Sequence, residues 1–175
     1  GMFSLGRTFK ESVINGDVAE MSINTIIRIQ ERSKFKSIAK KDIFNVEYWS
    51  LEQAKLKKEA KQFEGKVVII TGGAGTIGYA TAKKFRENGA EVIILDKDRQ
   101  KIREIQRNTE FFCYVCDVAN RAFYKKILSK ICLTHGGVDI VVSNAGSAVQ
   151  STMIEITDKE LKKSFDINFF SHQIV

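Results

Sequence analysis

The chain has 175 residues, 43% hydrophobic and 28% charged, with a net charge of +7, which is enough material for one globular domain with an appendage. The positive excess is spread out, 12 Lys and Arg against 9 Asp and Glu in residues 1–65 and 16 against 12 in residues 66–175; it lacks the basic–aromatic interleaving of a nucleic-acid surface, so no nucleic-acid partner is expected. No apolar run reaches the ~18 residues of a membrane span, no signal-peptide pattern opens the chain, and an odd number of cysteines, three, points to reduced thiols and a cytoplasmic protein without a membrane partner.

The composition changes near residue 65, dividing the chain into a helical, lysine-rich extension over residues 1–64 and an α/β domain over residues 65–175. Gly1 ahead of Met2 reads as a tag remnant. In the extension, Val18, Met21, Thr25 and Ile29, supported by Ile26, recur at helical spacing and predict a helix over 17–32. Residues 50–61 read as a second helix with Ser50 as N-cap, followed by Leu51, Ala54, Lys55 and Lys58. Between them Ile43, Phe44, Val46, Tyr48 and Trp49 form an island that needs to be buried.

From Lys66 onward strands and helices alternate. Val67–Ile70 is an unbroken apolar run, as expected of a parallel strand covered on both faces. A helix over Thr76–Asn88 stops at Gly89, a C-cap residue. Further strands are read at Val92–Leu95, Phe111–Val115 and Asp139–Val142, and further helices over Asp98–Arg107 and Ala119–Thr134, the last ended by Gly136 and Gly137. Thr157 and Glu160 form a capping box for a final helix, with Ile156 and Leu161 as its staple. The pattern predicts a Rossmann-type doubly wound parallel sheet, incomplete, with a helical N-terminal extension. Cys113 and Cys116 make a C-x-x-C, but on a strand side chains three apart face opposite ways, so the thiols should not converge. No metal site is expected.

The loop from Thr71 to Gly78 carries the chemistry. It follows a strand and opens a helix, and Gly73, Gly75 and Gly78 satisfy G-x-G-x-x-G. Glycines there permit a tight turn, let a pyrophosphate approach the backbone and let helix pack on strand. The N–H groups and positive end of the helix then face the phosphates, with Gly72, Thr76 and Ile77 completing the cradle. Asp96 stands at the end of the second strand, 18 positions after Gly78. A carboxylate there accepts hydrogen bonds from ribose hydroxyls and repels a 2′-phosphate, which favours NAD over NADP. Lys97 and Arg99 beside it are cations of the kind that accommodate that phosphate.

At four places the sequence resembles the short-chain dehydrogenase/reductase family: the turn Thr71–Gly78, Asp117-Val118 after the third strand, Ser143-Asn144-Ala145-Gly146 after the fourth, and Phe165-Asp166-Ile167-Asn168 on the last helix. The resemblance covers about residues 65–175. It implies that Asp117, with Val118, meets the adenine. It implies that Asn144, Ala145 and Gly146 steady the sheet beneath the cofactor. It also implies that Asn168 is the family's catalytic Asn, helping to hold a water in a proton relay. Local packing is the alternative role for Asn168. Thr76 departs from the commonest family turn, which has Gly there; the T-G-x-x-G-x-x-G spacing is closer to the longer-chain branch. The family's Ser and Tyr-x-x-x-Lys, which should follow Asn168 by several tens of residues, are not matched before Val175, so a truncated dehydrogenase is expected. The resemblance implies hydride transfer between the nicotinamide and a CH–OH group. A non-catalytic dinucleotide-binding or oligomerising fragment is the alternative. Phe169, Phe170, Ile174 and Val175 are expected to need a partner, which implies a homo-oligomer.

Residues 45–56, just before the α/β domain, resemble the junction of bifunctional sugar-phosphate aldolase/alcohol dehydrogenases of the rhamnulose-1-phosphate aldolase type, and the 17–32 helix is similar to the end of their aldolase domain. That likeness implies a sugar-derived alcohol or aldehyde as substrate. It implies no aldolase activity, because the aldolase's metal-binding histidines find no match in His135 and His172.

Overall fold

A computed structural model of the chain describes residues 2–47, 61–152 and 154–175. The chain forms two compact units, residues 1–61 and 62–175.

The first unit contains α1 (Phe9–Gln30) and α2 (Lys40–Glu47). α1 begins at Phe9 rather than at residue 17 because Thr8 caps it: the Glu11 N–H donates to Thr8 Oγ1 at 3.1 Å. Arg7 pairs with Glu11 at 2.9 Å beside that cap. Among the described residues no side chain of α1 is buried, so the expected Val18–Met21–Ile29 face lies open. The aromatic island is not buried where it is described; Phe44 is 59% exposed. The helix expected over 50–61 lies outside the described residues apart from Lys61.

The second unit runs β1 (Val67–Thr71), α3 (Thr76–Glu87), β2 (Glu91–Asp96), α4 (Arg99–Asn108), β3 (Phe112–Val115), α5 (Arg121–His135), β4 (Ile140–Val142) and α6 (Asp158–Phe165). A π-helical turn (Asp166–Phe170) and a short α7 (Ser171–Ile174) complete it. The four strands form one parallel sheet in the order β3-β2-β1-β4. Strand alternation sorts the apolar runs onto two faces. Val68, Ile70, Val92 and Ile94 pack with Ala82 of α3 and Ile102 of α4. Val67, Ile69, Ile93 and Leu95 pack with Tyr124 and Ile131 of α5. Burial on both faces is what a run such as Val67–Ile70 requires. Cys113 lies in the first cluster and Cys116 in the second, so the two thiols are on opposite sides of the sheet.

Two local signals act as the sequence expects, although α5 starts at Arg121 rather than at Ala119. Gly136 takes φ 83° and its N–H donates to Cys132 O, closing α5. Thr157 and Glu160 complete the capping box of α6. β1 and β4 are tied at their starts by Asp139, whose carboxylate accepts from the Val67 N–H and from Lys66 Nζ, both at 2.9 Å. Those bonds hold the Asp139 carboxyl below the usual carboxylate range, the Val67 amide first and Lys66 next.

Candidate functional site

In this order the chain leaves β1 for α3 on one face of the sheet, while β4 enters on the other side of β1. The gap between the C-terminal ends of β1 and β4 is the switch point at which open α/β sheets bind ligands. A cleft of about 330 Å³ opens there.

The glycine-rich turn forms one wall. Gly72 has φ 62°, and a Cβ on it would come within 2.9 Å of Ala145 Cα. The Gly73 N–H donates to Leu95 O at 3.1 Å, and a Cβ there would meet Ile94 Cγ2 at 2.8 Å. Gly78 is tighter still, with Gly72 O at 2.4 Å and Asn144 Nδ2 at 2.8 Å from the position of a Cβ. These three glycines are required by the protein's own packing. Gly75 differs. As N-cap of α3 it has φ −79° and ψ 166°, open to any residue. A Cβ on it meets only Gly72 O, at 3.3 Å. It lines the cleft, so its bare backbone faces whatever the cleft holds. The first intrahelical bond of α3 runs from the Tyr79 N–H to Gly75 O. The amides of Thr76, Ile77 and Gly78 precede it and have no partner within the helix. Ile77, 74% exposed, covers this end of the cleft.

The second wall comes from β4. Thr71 is fully buried, and its Oγ1 accepts from the Asn144 and Ala145 N–H groups at 3.0 and 3.1 Å. Asn144 Nδ2 donates to Thr71 O and Gly72 O at 3.0 and 3.2 Å. Asn144 thus locks the turn to β4, while Ala145 and Gly146 line the cleft beside it. Asn168 reaches the same segment from the π-helical turn. Its Oδ1 accepts from the Ser147 N–H at 2.9 Å, and its Nδ2 donates to Ser147 O at 2.7 Å and to Ser164 Oγ at 3.1 Å. The side-chain amide is therefore engaged in local structure.

The far end is acidic. Asp96 Oδ2 accepts from the Ala74 N–H at 3.1 Å and Oδ1 from the Asp98 N–H at 3.0 Å. The carboxylate clamps the turn, yet each oxygen keeps a second lone pair for a ligand hydroxyl. Lys97, Asp117 and Val118 complete this end. Asp117 Oδ1 accepts from the Ala119 N–H at 3.0 Å, which folds the loop ahead of α5.

The residues expected from the sequence at the site are Gly72, Gly73, Gly75, Thr76, Ile77, Gly78, Asp96, Lys97, Asp117, Val118, Asn144, Ala145 and Gly146. The structure brings all of these to the cleft wall except Gly73, which is packed beneath it. Cys116 and Ile167 also line the cleft, and neither the C-x-x-C spacing of Cys116 nor the segment holding Ile167 marks them as cleft residues. Burial, with Asp117 nearby, pushes the Cys116 thiol up to about 11. The Tyr79-x-x-x-Lys83 pattern lies outside the cleft lining. Lys83 Nζ sits 4.6 Å from the Tyr79 ring, and Tyr79 packs edge-on against Phe111.

Comparison with known proteins agrees with this geometry. The family model for short chain dehydrogenase matches residues 66–175, and that for the second domain of class II aldolases matches residues 1–56. A Bacillus subtilis (strain 168) protein described as uncharacterized oxidoreductase YuxG is 30% identical over 176 residues, covering 95% of this chain and 26% of that protein. Short chain aldehyde dehydrogenase 1 of Euphorbia lathyris is 33% identical over 117 residues, covering 63% of this chain and 41% of its own length. Among solved structures, an NAD+-bound xylitol dehydrogenase superposes with a TM-score of 0.60 at 26% identity, over 66% of this chain and 46% of that one. A short chain dehydrogenase from Bacillus anthracis gives 0.59 at 25% identity, over 62% and 47%. The chain spans less than half the length of these relatives. With its parallel sheet, switch-point cleft and family match over residues 66–175, the chain belongs to the short-chain dehydrogenase family.

Proposed function

We propose that residues 65–175 are the NAD-binding part of an oxidoreductase acting on a CH–OH group, preceded by an aldolase-tail-like helical extension over residues 1–64. The observation that carries this reading is Gly75. Backbone conformation does not require glycine there, and a Cβ would press on one backbone atom alone among the described residues, Gly72 O at 3.3 Å; beyond serving as the α3 N-cap, the bare backbone leaves room for a ligand to approach. The α3 amides and helix dipole receive the pyrophosphate. Asp96 accepts from the adenosine ribose hydroxyls and disfavours a 2′-phosphate. Asp117 and Val118 flank the adenine, and Asn144–Gly146 support the nicotinamide half.

The bound dinucleotide supplies hydride transfer between its nicotinamide ring and the substrate carbon. The chain's own residues orient it. Asn168 acts by holding Ser147 and thereby the wall that lines the cleft, in the place where the family has its catalytic Asn. The match to class II aldolases over residues 1–56 and the xylitol dehydrogenase likeness support a small sugar-derived alcohol or aldehyde as the substrate class. A cytoplasmic location accords with the reduced thiols; no helix among the described residues is long and apolar enough to cross a membrane. The exposed Leu161, Phe165, Phe169 and Phe170 support self-association. Val175, by contrast, packs against the core, and the Ile174 side chain lies outside what is described.

A second reading, a dinucleotide-binding module without turnover, is supported by the Asn168 side-chain amide, whose hydrogen bonds go to Ser147 and Ser164. Titration with NADH and NADPH, followed by nicotinamide fluorescence, tests the shared claim; NADH should bind more tightly. Incubation with NAD+ and a panel of polyols separates the two readings, because only the enzyme produces NADH.

A further inference from the structure

The segment Ser143–Ser147 forms the β4 wall of the cleft and is held at three places. Thr71 Oγ1 takes its middle through the Asn144 and Ala145 amides. Asn168 takes its C-terminal end through two hydrogen bonds to the Ser147 backbone. At its N-terminal end the Ser143 hydroxyl lies 2.5 Å from His172 Nδ1. Asn168 and His172 are four residues apart on the continuous helical stretch from α6 through the π turn to α7, so they stand one turn apart on a shared face. The two serines they hold are likewise four apart. One helix face thus grips both ends of the wall while β1 grips its centre.

We propose that His172 is a positioning residue for the cofactor cleft, fixing the Ser143 end of the Asn144–Gly146 wall as Asn168 fixes the Ser147 end. This rests on the reading of the cleft as a dinucleotide site. The Ser143 hydroxyl can donate to an unprotonated Nδ1 or accept from a protonated one, so either ring tautomer keeps the link. Both residues are exposed. An exposed hydrogen bond adds little to global stability, and its effect falls on local opening of the wall. The wall tolerates little movement: a Cβ on Gly146 would lie 3.1 Å from Asn168 Oδ1, and one on Gly72 would lie 2.9 Å from Ala145 Cα. Release of Ser143 would therefore disturb the contact between the wall and the glycine turn.

The test compares the wild-type chain with Ser143→Ala, His172→Ala, the double variant and His172→Asn, whose amide places a polar atom where Nδ1 was. Two measurements are made: amide hydrogen exchange across residues 143–147, and NADH affinity by fluorescence. His172→Ala should speed exchange in the wall and weaken NADH by about three- to tenfold, with β1 and β2 exchange unchanged. Ser143→Ala should do the same, the double variant should be no worse than either single, and His172→Asn should recover most of both losses. Wild-type exchange and affinity in His172→Ala would overturn the proposal. So would losses that add in the double variant, or an Asn variant as impaired as Ala. A wild-type chain that binds neither NADH nor NADPH would overturn the cofactor reading itself, and the cofactor role of His172 with it. The exchange measurement reports on the clasp independently of that outcome.

Discussion

Gly75 and Gly78 stand three residues apart in one turn, and they are glycine for different reasons. Alanine at Gly78 would place a methyl 2.4 Å from Gly72 O and 2.8 Å from Gly73 Cα. Both are backbone atoms that cannot swing aside, so the turn must deform, at a cost of about 1–3 kcal/mol or more in overpacking. Alanine at Gly75 meets only Gly72 O at 3.3 Å, and its φ of −79° suits any residue. Its structural cost is the weaker N-cap, about 0.5–1 kcal/mol, together with the small shift that relieves the contact with Gly72 O. In the cleft, however, the methyl stands where phosphate oxygens approach the α3 amides. Losing one charge-assisted bond there costs about 1.5–3 kcal/mol, which is roughly 10- to 150-fold in Kd. Urea unfolding and NADH titration of both variants separate the two effects. Gly78→Ala should lose stability, and Gly75→Ala should keep most of it while losing NADH affinity. A Gly75→Ala variant that binds NADH as the wild type does would refute the reasoning.

Replacing Asp96 with Ala removes the carboxylate that faces a 2′-phosphate, and the ratio of NADPH to NADH affinity should rise by about tenfold or more in competition titrations. Thr71→Val keeps the shape of the side chain but leaves the Asn144 and Ala145 amides without their acceptor, which should cost about 2–4 kcal/mol in denaturant unfolding. The Asp139 carboxyl is lowered in the folded state, so its contribution is present above its unfolded value of 3.8 and is lost as pH falls through the lower folded value. Stability measured from pH 5 downward should decline less steeply in Asp139→Asn. Burial pushes the Cys113 and Cys116 thiols up to about 11, whereas Cys132 is exposed. A thiol reagent at neutral pH should label one cysteine in the native chain and all three in denaturant.

The parts of the fold legible in the sequence are those where one residue pattern has one physical solution. Val67–Ile70 and Val92–Leu95 are apolar at every position, short and rich in β-branched residues, which suits a strand covered on both faces better than a helix. Thr157 and Glu160 have the spacing of a reciprocal cap, and the cap forms. The glycine turn is readable from its spacing between a strand and a helix, although spacing does not say which glycine lines the cleft and which is packed beneath it. Gly73 turns inward because its N–H is needed by Leu95 O. Cys116 and Ile167 were invisible as cleft residues, since a cleft wall made of ordinary apolar side chains differs from core only in three dimensions. The early start of α1 did have a signal, Thr8 followed three residues later by Glu11, but the apolar spacing that begins at Val18 masked it.

The central claim, that the switch-point cleft binds a nicotinamide dinucleotide, is tested most directly by titrating NAD+ into isotopically labelled chain and following backbone amide resonances. Saturable shifts are expected at Gly72–Gly78, Asp117–Val118 and Asn144–Gly146, with the opposite ends of β1 and β2 unaffected. Absence of saturable shifts, or shifts confined to residues outside the cleft, would contradict it.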